Sequence, residues 1–280
     1  MFRKARPDIQ LKSAEQIAKM REAGKVVARA LNEVRAAAAP GVSTLDLDQI
    51  AERVIRDAGA IPSFKGYGGG GGVPAFPGSI CASVNEEVVH GIPRADRVLR
   101  EGDTVSVDCG AILDGWHGDS AITVAVGEVS EADRKMMDVC RESMWRGIDQ
   151  LRPGRRLGDI GHAIDSYMRS QGRYGNVQEY GGHGIGTEMH MEPHVLNYGR
   201  PGKGIELVEG MVLAIEPMTN RGTRHVAVLE DAWTVVTRDG ARSAHFEHTV
   251  AVTADGPLVL TAREDDRDDI ERRGFPDPGL

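Results

Sequence analysis

Two Pro-Gly pairs, Pro40-Gly41 and Pro153-Gly154, lie 113 residues apart in this 280-residue chain, and each separates two helix-type segments that strand-type runs follow. Asp46 and Asp159 keep the same spacing. A repeated order of helix, helix, sheet predicts an α+β fold of two similar halves, with helices covering one face of a curved, mainly antiparallel sheet. Ser13-Ala-Glu-Gln16 reads as a capping box, and Ile17, Met20, Val26, Val27, Leu31 and Val34 recur behind it at helical spacing until Pro40-Gly41. Ser43 to Asp46 caps a second helix through Ile50, Val54 and Ile55 to Gly59. Ser130-Glu-Ala-Asp133 opens a third through Met137, Cys140 and Met144, and a fourth runs from about Asp159 to Gln171. The halves span about 13–126 and 130–255 within a single domain, 1–262. The last stretch, 263–280, has 7 acidic residues against 4 Arg and little to bury, so a mobile acidic tail is expected.

The runs TVSVDCGAIL and SAITVAV flank Asp114-Gly115, a dipeptide suited to a two-residue hairpin turn. With that turn, Asp108 pairs with Ala121 and Asp119 falls two residues further along the same face, a diagonal of about 7 to 8 Å. Two carboxylates at that range repel unless positive charge lies between them. His183 and His190 occur in GGHGIGTEMHMEPH, while Glu216 and Glu247 each stand inside a strand-like run, LAIEPM and AHFEHTVAV. An unpaired carboxylate there is costly to bury, so shared cations account for the set better than isolated ion pairs do. Four carboxylates and an imidazole suit Mn, Fe, Co or Zn at a dinuclear site, with ions about 3.5 to 4 Å apart.

A net charge of −8 and a pI near 5.6 exclude the sustained basic surface that stable nucleic-acid or anionic-membrane binding needs. Three cysteines, Cys81, Cys109 and Cys140, make no disulfide framework. The N-terminus lacks the apolar region of a signal peptide, so a cytoplasmic location is expected. The run Gly68 to Gly72 reads as a flexible loop, because no phosphate-loop lysine accompanies it. GGHGIG lacks the spacing of a dinucleotide fingerprint.

With these residues in view, the chain resembles the type I methionine aminopeptidases of the pita-bread metallopeptidase family over about Leu11 to Ala262. The resemblance rests on NEEVVHGIP at Asn85 to Pro93, the pair Asp108 and Asp119, GHGIG at Gly182 to Gly186, IEPM at Ile215 to Met218, and EHT at Glu247 to Thr249. It implies that Asp108, Asp119, His183, Glu216 and Glu247 hold two divalent metals, with Asp119 and Glu247 bridging and a hydroxide held between the ions. It further implies Glu216 as general base, His190 as donor to the substrate carbonyl, and His90 as a contact to the neighbouring peptide. Cys81 and Trp233 match pocket-lining positions, Phe76 stands where an aromatic is usual, and Met189 replaces a common aromatic before His190. Val73 stands where many members carry an aromatic, in a segment, KGYGGGGGVPAFPGS, several residues longer than its family counterpart.

The implied reaction is hydrolytic removal of an N-terminal methionine from peptides and nascent proteins, with a small second residue preferred, by a monomer. The alternatives within the fold are a proline-directed peptidase and a non-catalytic binding protein. The first usually carries a large N-terminal domain, for which the residues before His90 leave no room, and the second loses metal ligands. The first 25 residues carry 7 Lys+Arg against 3 acidic, enough for a transient ribosome contact, although a solvated helix face is the better explanation of them.

Overall fold

The structure, a computed structural model, describes residues 8–280. Helix α1, Ala14–Ala37, begins at the expected box: the Gln16 backbone N–H donates to Ser13 Oγ at 3.3 Å and the Ser13 N–H to Gln16 Oε1 at 2.9 Å. Helix α2, Thr44–Asp57, opens with Ser43 N–H donating to Asp46 Oδ2 at 2.9 Å. After α3, Glu131–Ile148, helix α4 covers Leu157–Gln171 and repeats that device, Arg156 N–H donating to Asp159 Oδ2 at 2.8 Å. The two aspartates 113 residues apart thus do one job, tying the third helical position back to the cap.

In the first half, the strand Thr104–Leu113 pairs with Trp116–Ala125 on one side, and with Ile61–Pro62 and Ile80–Val84 on the other. Asp114 and Gly115 both take positive φ, 49° and 79°, and the hairpin carries the expected register, Asp108 opposite Ala121. In the second half five strands order as Gly256–Val259, His248–Thr253, Val212–Ile215, Gly182–Gly184 and Met191–Val195. All strand pairings among the described residues are antiparallel.

Of the contacts that join the halves, one seam frames the carboxylates. Ala121 and Glu247 exchange backbone hydrogen bonds, with Glu247 N–H donating to Ala121 O at 3.0 Å and the reverse bond at 3.4 Å. Thr249 Oγ1 accepts from Asp119 N–H at 3.1 Å and donates to Asp119 O at 2.7 Å, and Ser120 Oγ donates to Glu247 O at 2.6 Å. Cys81, Asp108 and Ala121 therefore lie in one row across three strands, which Glu247 extends from the break before His248–Thr253.

Helices α1 and α2 pack on the first sheet, while α3 pairs with α4 and packs chiefly on the strands Met218–Asn220 and Ser243–His245, burying Leu31, Leu47, Ile122, Met144, Trp145 and Ile215 completely. Asp48 of α2 accepts from the N–H groups of Ser79 and Ile80, at 2.6 and 3.0 Å, and so fixes the start of the strand that carries Cys81. Gly118 allows α1 to press on the sheet: a Cβ there would stand 2.9 Å from the backbone nitrogen of Gly24.

Three expectations need correction. Residues 263–280 do not form a mobile tail. Glu264–Asp266 makes a 3-10 turn and Arg267–Arg273 a helix, α5, with Ile270 and Phe275 buried. Its arginines and acids find partners in the body: Arg263 donates to Ser120 Oγ at 2.9 Å, Arg141 pairs with Asp266 at 3.1 Å, and Arg273 with Asp149 at 2.5 Å. Composition counted those charges as solvated, whereas they are matched by the outer face of α3. The run HVAVLEDAWTVVT, His225 to Thr237, reads as strand-like throughout in the sequence but is a hairpin of Val226–Val228 and Val235–Thr237. Glu216 and Glu247 lie in breaks between strands instead of inside them: Val212–Ile215 and Met218–Asn220 belong to different sheets, as do Ser243–His245 and His248–Thr253. Pro217 removes a ladder donor at the first break, and both breaks aim a carboxylate inward.

Candidate active site

A cavity of about 120 Å³ opens beside the seam, lined by Phe76, Cys81, His90, Asp108, Asp119, His183, Met189, His190, Glu216, Trp233 and Glu247, all singled out from the sequence. Phe64 and Tyr67 also line it, and neither stood out in the sequence.

The hairpin register brings Asp108 and Asp119 to one wall. Glu247 joins them across the seam, and the break after Ile215 delivers Glu216. His183 lies in the short strand Gly182–Gly184, whose glycines let it pass close to its neighbours: a Cβ at either would overlap the carbonyl oxygen of Ala214 or of Glu192. The ligand atoms of Asp119, His183 and Glu247 fall within 4.8 Å of one another. His183 Nε2 stands 3.4 Å from Glu216 Oε1 and 3.9 Å from Asp119 Oδ2.

The donor set fits a cation on three observations. Asp108 Oδ1, Asp119 Oδ1 and Glu247 Oε1 are buried oxygens without a hydrogen-bond partner. His183 Nδ1–H donates to Gly184 O at 3.0 Å, so in the neutral ring Nε2 presents a lone pair toward the carboxylates, a repulsive contact that a shared cation turns attractive. Burial drives the carboxyl of Asp108 up to about 7, and those of Asp119, Glu216 and Glu247 well above their ordinary range; for these last three, repulsion among the carboxylates adds to the effect. Burial also lowers His183 to about 3, keeping its ring neutral. Hard oxygen donors with one imidazole suit divalent first-row metals.

Opposite the carboxylates, Phe64, Phe76, Cys81 and Met189 form a small apolar cluster against which Ile92 and Trp233 pack. Phe76 and Trp233 meet edge to face with centroids 5.3 Å apart. Trp233 reaches this wall because Asp231 builds the turn before it, accepting from Trp233 N–H at 2.9 Å and Thr234 N–H at 2.8 Å. Val73 supplies no wall: it is exposed, in a tight turn paired with Gly70. His90, with a left-handed φ of 59°, stands edge-on to Tyr180 and Trp233, and burial lowers it to about 4. His190 sits against His183, ring centroids 4.3 Å apart, and its Nδ1 meets the Tyr67 hydroxyl at 2.6 Å.

An antiparallel, two-part α+β fold with a buried carboxylate and histidine centre defines a metal-dependent hydrolase class, and comparison with known proteins makes it particular. The profile of metallopeptidase family M24 matches residues 18–254. Over 254 residues the chain is 54% identical to the methionine aminopeptidase of Clostridium acetobutylicum, covering 91% of this chain and 99% of that protein. It is 55% identical to methionine aminopeptidase 1 of Mycobacterium tuberculosis, over 89% of this chain and 94% of that one. The crystal structure of the Thermotoga maritima methionine aminopeptidase superposes with a TM-score of 0.86 at 45% identity, covering 90% and 99% of the two chains. A prolidase from Pyrococcus furiosus, 21% identical with a TM-score of 0.71, shares the fold alone, and the match covers 66% of its length. The chain belongs to metallopeptidase family M24, among its methionine aminopeptidases, and its architecture is the pita-bread fold of that family.

Proposed function

We propose that this protein removes the N-terminal methionine from peptides and nascent chains by metal-dependent hydrolysis. The observation that carries the reading is the meeting, in one small cavity, of buried carboxylates without partners and an apolar wall of Phe64, Phe76, Cys81 and Met189. An unbranched thioether side chain suits such a wall, and the amine ahead of it points back to the carboxylates.

Asp108, Asp119, His183, Glu216 and Glu247 would hold two divalent ions, Co, Mn, Fe or Zn, through their carboxylate oxygens and the imidazole. Bound there, divalent ions supply Lewis acidity and lower the pKa of water enough for attack near neutral pH. Glu216 takes the proton from that water and returns it to the leaving amine. His190 donates to the carbonyl oxygen as negative charge develops on it, and His90 holds the peptide nitrogen beyond the scissile bond. Phe76, Cys81, Met189 and Trp233 exclude water from the methionine side chain. A small second residue is preferred after the methionine.

The proline-directed alternative is not favoured, since the prolidase likeness is one of fold. Action in the cytoplasm, as a monomer meeting new chains near the ribosome, accompanies the methionine reading. The N-terminal basic segment gives little support to a ribosome contact: Lys12 and Arg21 are buried, and Arg3, Lys4 and Arg6 lie outside the described residues. No helix among the described residues is long and apolar enough to cross a membrane.

The test is a metal-reconstituted assay on peptides beginning Met-Ala, Leu-Ala and Ala-Pro. Cleavage of the first alone, lost on chelation and restored by divalent metal, is expected. Cleavage before proline instead, or equal rates with and without metal, would overturn the reading.

A further inference from the structure

The glycine-rich loop does more than close a gap. Its base is tied: Gly66 N–H donates to Phe76 O at 2.8 Å, Phe76 N–H to Tyr67 O at 2.9 Å, and Tyr67 N–H to Phe64 O at 2.8 Å. Its far end is tied to the cavity wall, where Trp233 Nε1–H donates to Pro74 O at 2.8 Å. Gly68 lies flat on the Trp233 ring, where a Cβ would stand 3.0 Å from Cη2. All five glycines from Gly68 to Gly72 take positive φ, a sequence of conformations open at little cost only to glycine. The excursion therefore leaves and returns without moving Tyr67 from the mouth of the cavity. There the Tyr67 hydroxyl meets His190 Nδ1 at 2.6 Å, with the rings edge to face and centroids 5.2 Å apart.

We infer that Tyr67 is a positioning residue for His190: its phenol O–H donates to Nδ1 and so keeps the proton of the neutral ring on Nε2, the nitrogen left for a substrate oxygen. An imidazole nitrogen is a far better acceptor than a phenol oxygen, so a short contact between them is best formed as O–H···N. A ring protonated on Nδ1 would turn a lone pair toward the carbonyl oxygen and repel the charge that develops there. The inference rests on the proposed role of His190 as donor.

Tyr67→Phe deletes the hydroxyl and keeps the ring against His190. In zinc-loaded protein carrying 15N-labelled histidine, the His190 signals, assigned by their absence in His190→Ala, should report a single Nε2–H tautomer in the parent and a mixture in the variant. Turnover of a Met-Ala peptide should show kcat lowered about three- to tenfold, the worth of one hydrogen bond, with KM little changed. In the His190→Ala background, adding Tyr67→Phe should change neither constant. An unaltered tautomer in Tyr67→Phe, a raised KM at constant kcat, or an undiminished effect in the His190→Ala background would each overturn the inference. A parent enzyme inactive on the peptide at full metal content would instead sink the peptidase reading, while the nitrogen spectrum still decides the tautomer.

Discussion

At the scale of single residues, the site is a problem of charge. Asp108 keeps one buried oxygen without a hydrogen bond, and its carboxyl is held near neutrality by burial. Asp108→Asn should leave the fold intact, lower the occupancy of one metal measured by elemental analysis, and cut kcat by about ten- to a hundredfold. Glu216→Gln should cost more, about a hundredfold to ten-thousandfold in kcat, since it removes ligand charge and proton acceptor together. Equal losses for the two variants would argue against a proton-handling role for Glu216. The asparagine variant asks what charge contributes to holding metal, and the glutamine variant asks what a base adds beyond that.

At the scale of elements, close packing decides which substitutions are tolerated. Alanine is normally the better helix former by about 1 kcal/mol than glycine. Gly24 in α1 reverses that preference, because a Cβ would overlap the Leu260 carbonyl oxygen, and Leu260 belongs to the backbone and cannot rotate away. Gly24→Ala should therefore lower stability by about 1 to 3 kcal/mol in urea unfolding, the range for overpacked cores. The C-terminal segment is held by a different force. Asp266 is fully buried between Arg263 and His248, with Arg141 at 3.1 Å, and Arg263 together with His248 holds its carboxyl far below the ordinary range in spite of burial. Asp266→Ala leaves Arg263 buried without its main partner, and a loss of about 3 to 5 kcal/mol is expected, read as a drop in Tm. A surface tail would show no such dependence.

At the scale of the whole molecule, the fold spends stability on assembling like charges. The metal-free native state holds protons on these carboxyls more tightly than the unfolded chain does, as the rise of Asp108 from 3.8 to about 7 illustrates. Its stability contribution is thus full below the unfolded value and is lost as pH rises through the folded one. Cations replace those protons in the loaded protein. The Tm gap between metal-loaded and chelator-treated protein should widen as pH rises from about 5 to about 8. A gap independent of pH would mean that the carboxyls are not protonated in the metal-free state.

Much of this was legible before any coordinate. The capping residues Ser13 and Ser43, the Asp114-Gly115 turn and the pairing of Asp108 with Ala121 are local matters, fixed by hydrogen-bonding chemistry and backbone sterics within a few residues. The residues proposed to hold metal drew attention in the sequence because buried carboxylates without a partner are costly. What local chemistry could not show were contacts between segments far apart in sequence. The seam at Ala121 and Glu247, the strand breaks that aim Glu216 and Glu247, and the packing of Phe275 on Trp145 each depend on segments distant in sequence coming together. Tyr67 was hidden for the same reason, since its partner His190 lies 123 residues away and only the closed loop brings them together. Side-chain identity and short-range geometry thus determined which groups carry the chemistry. Where those groups meet was decided by long-range packing, because a buried cavity exists only once two separate surfaces have closed over it.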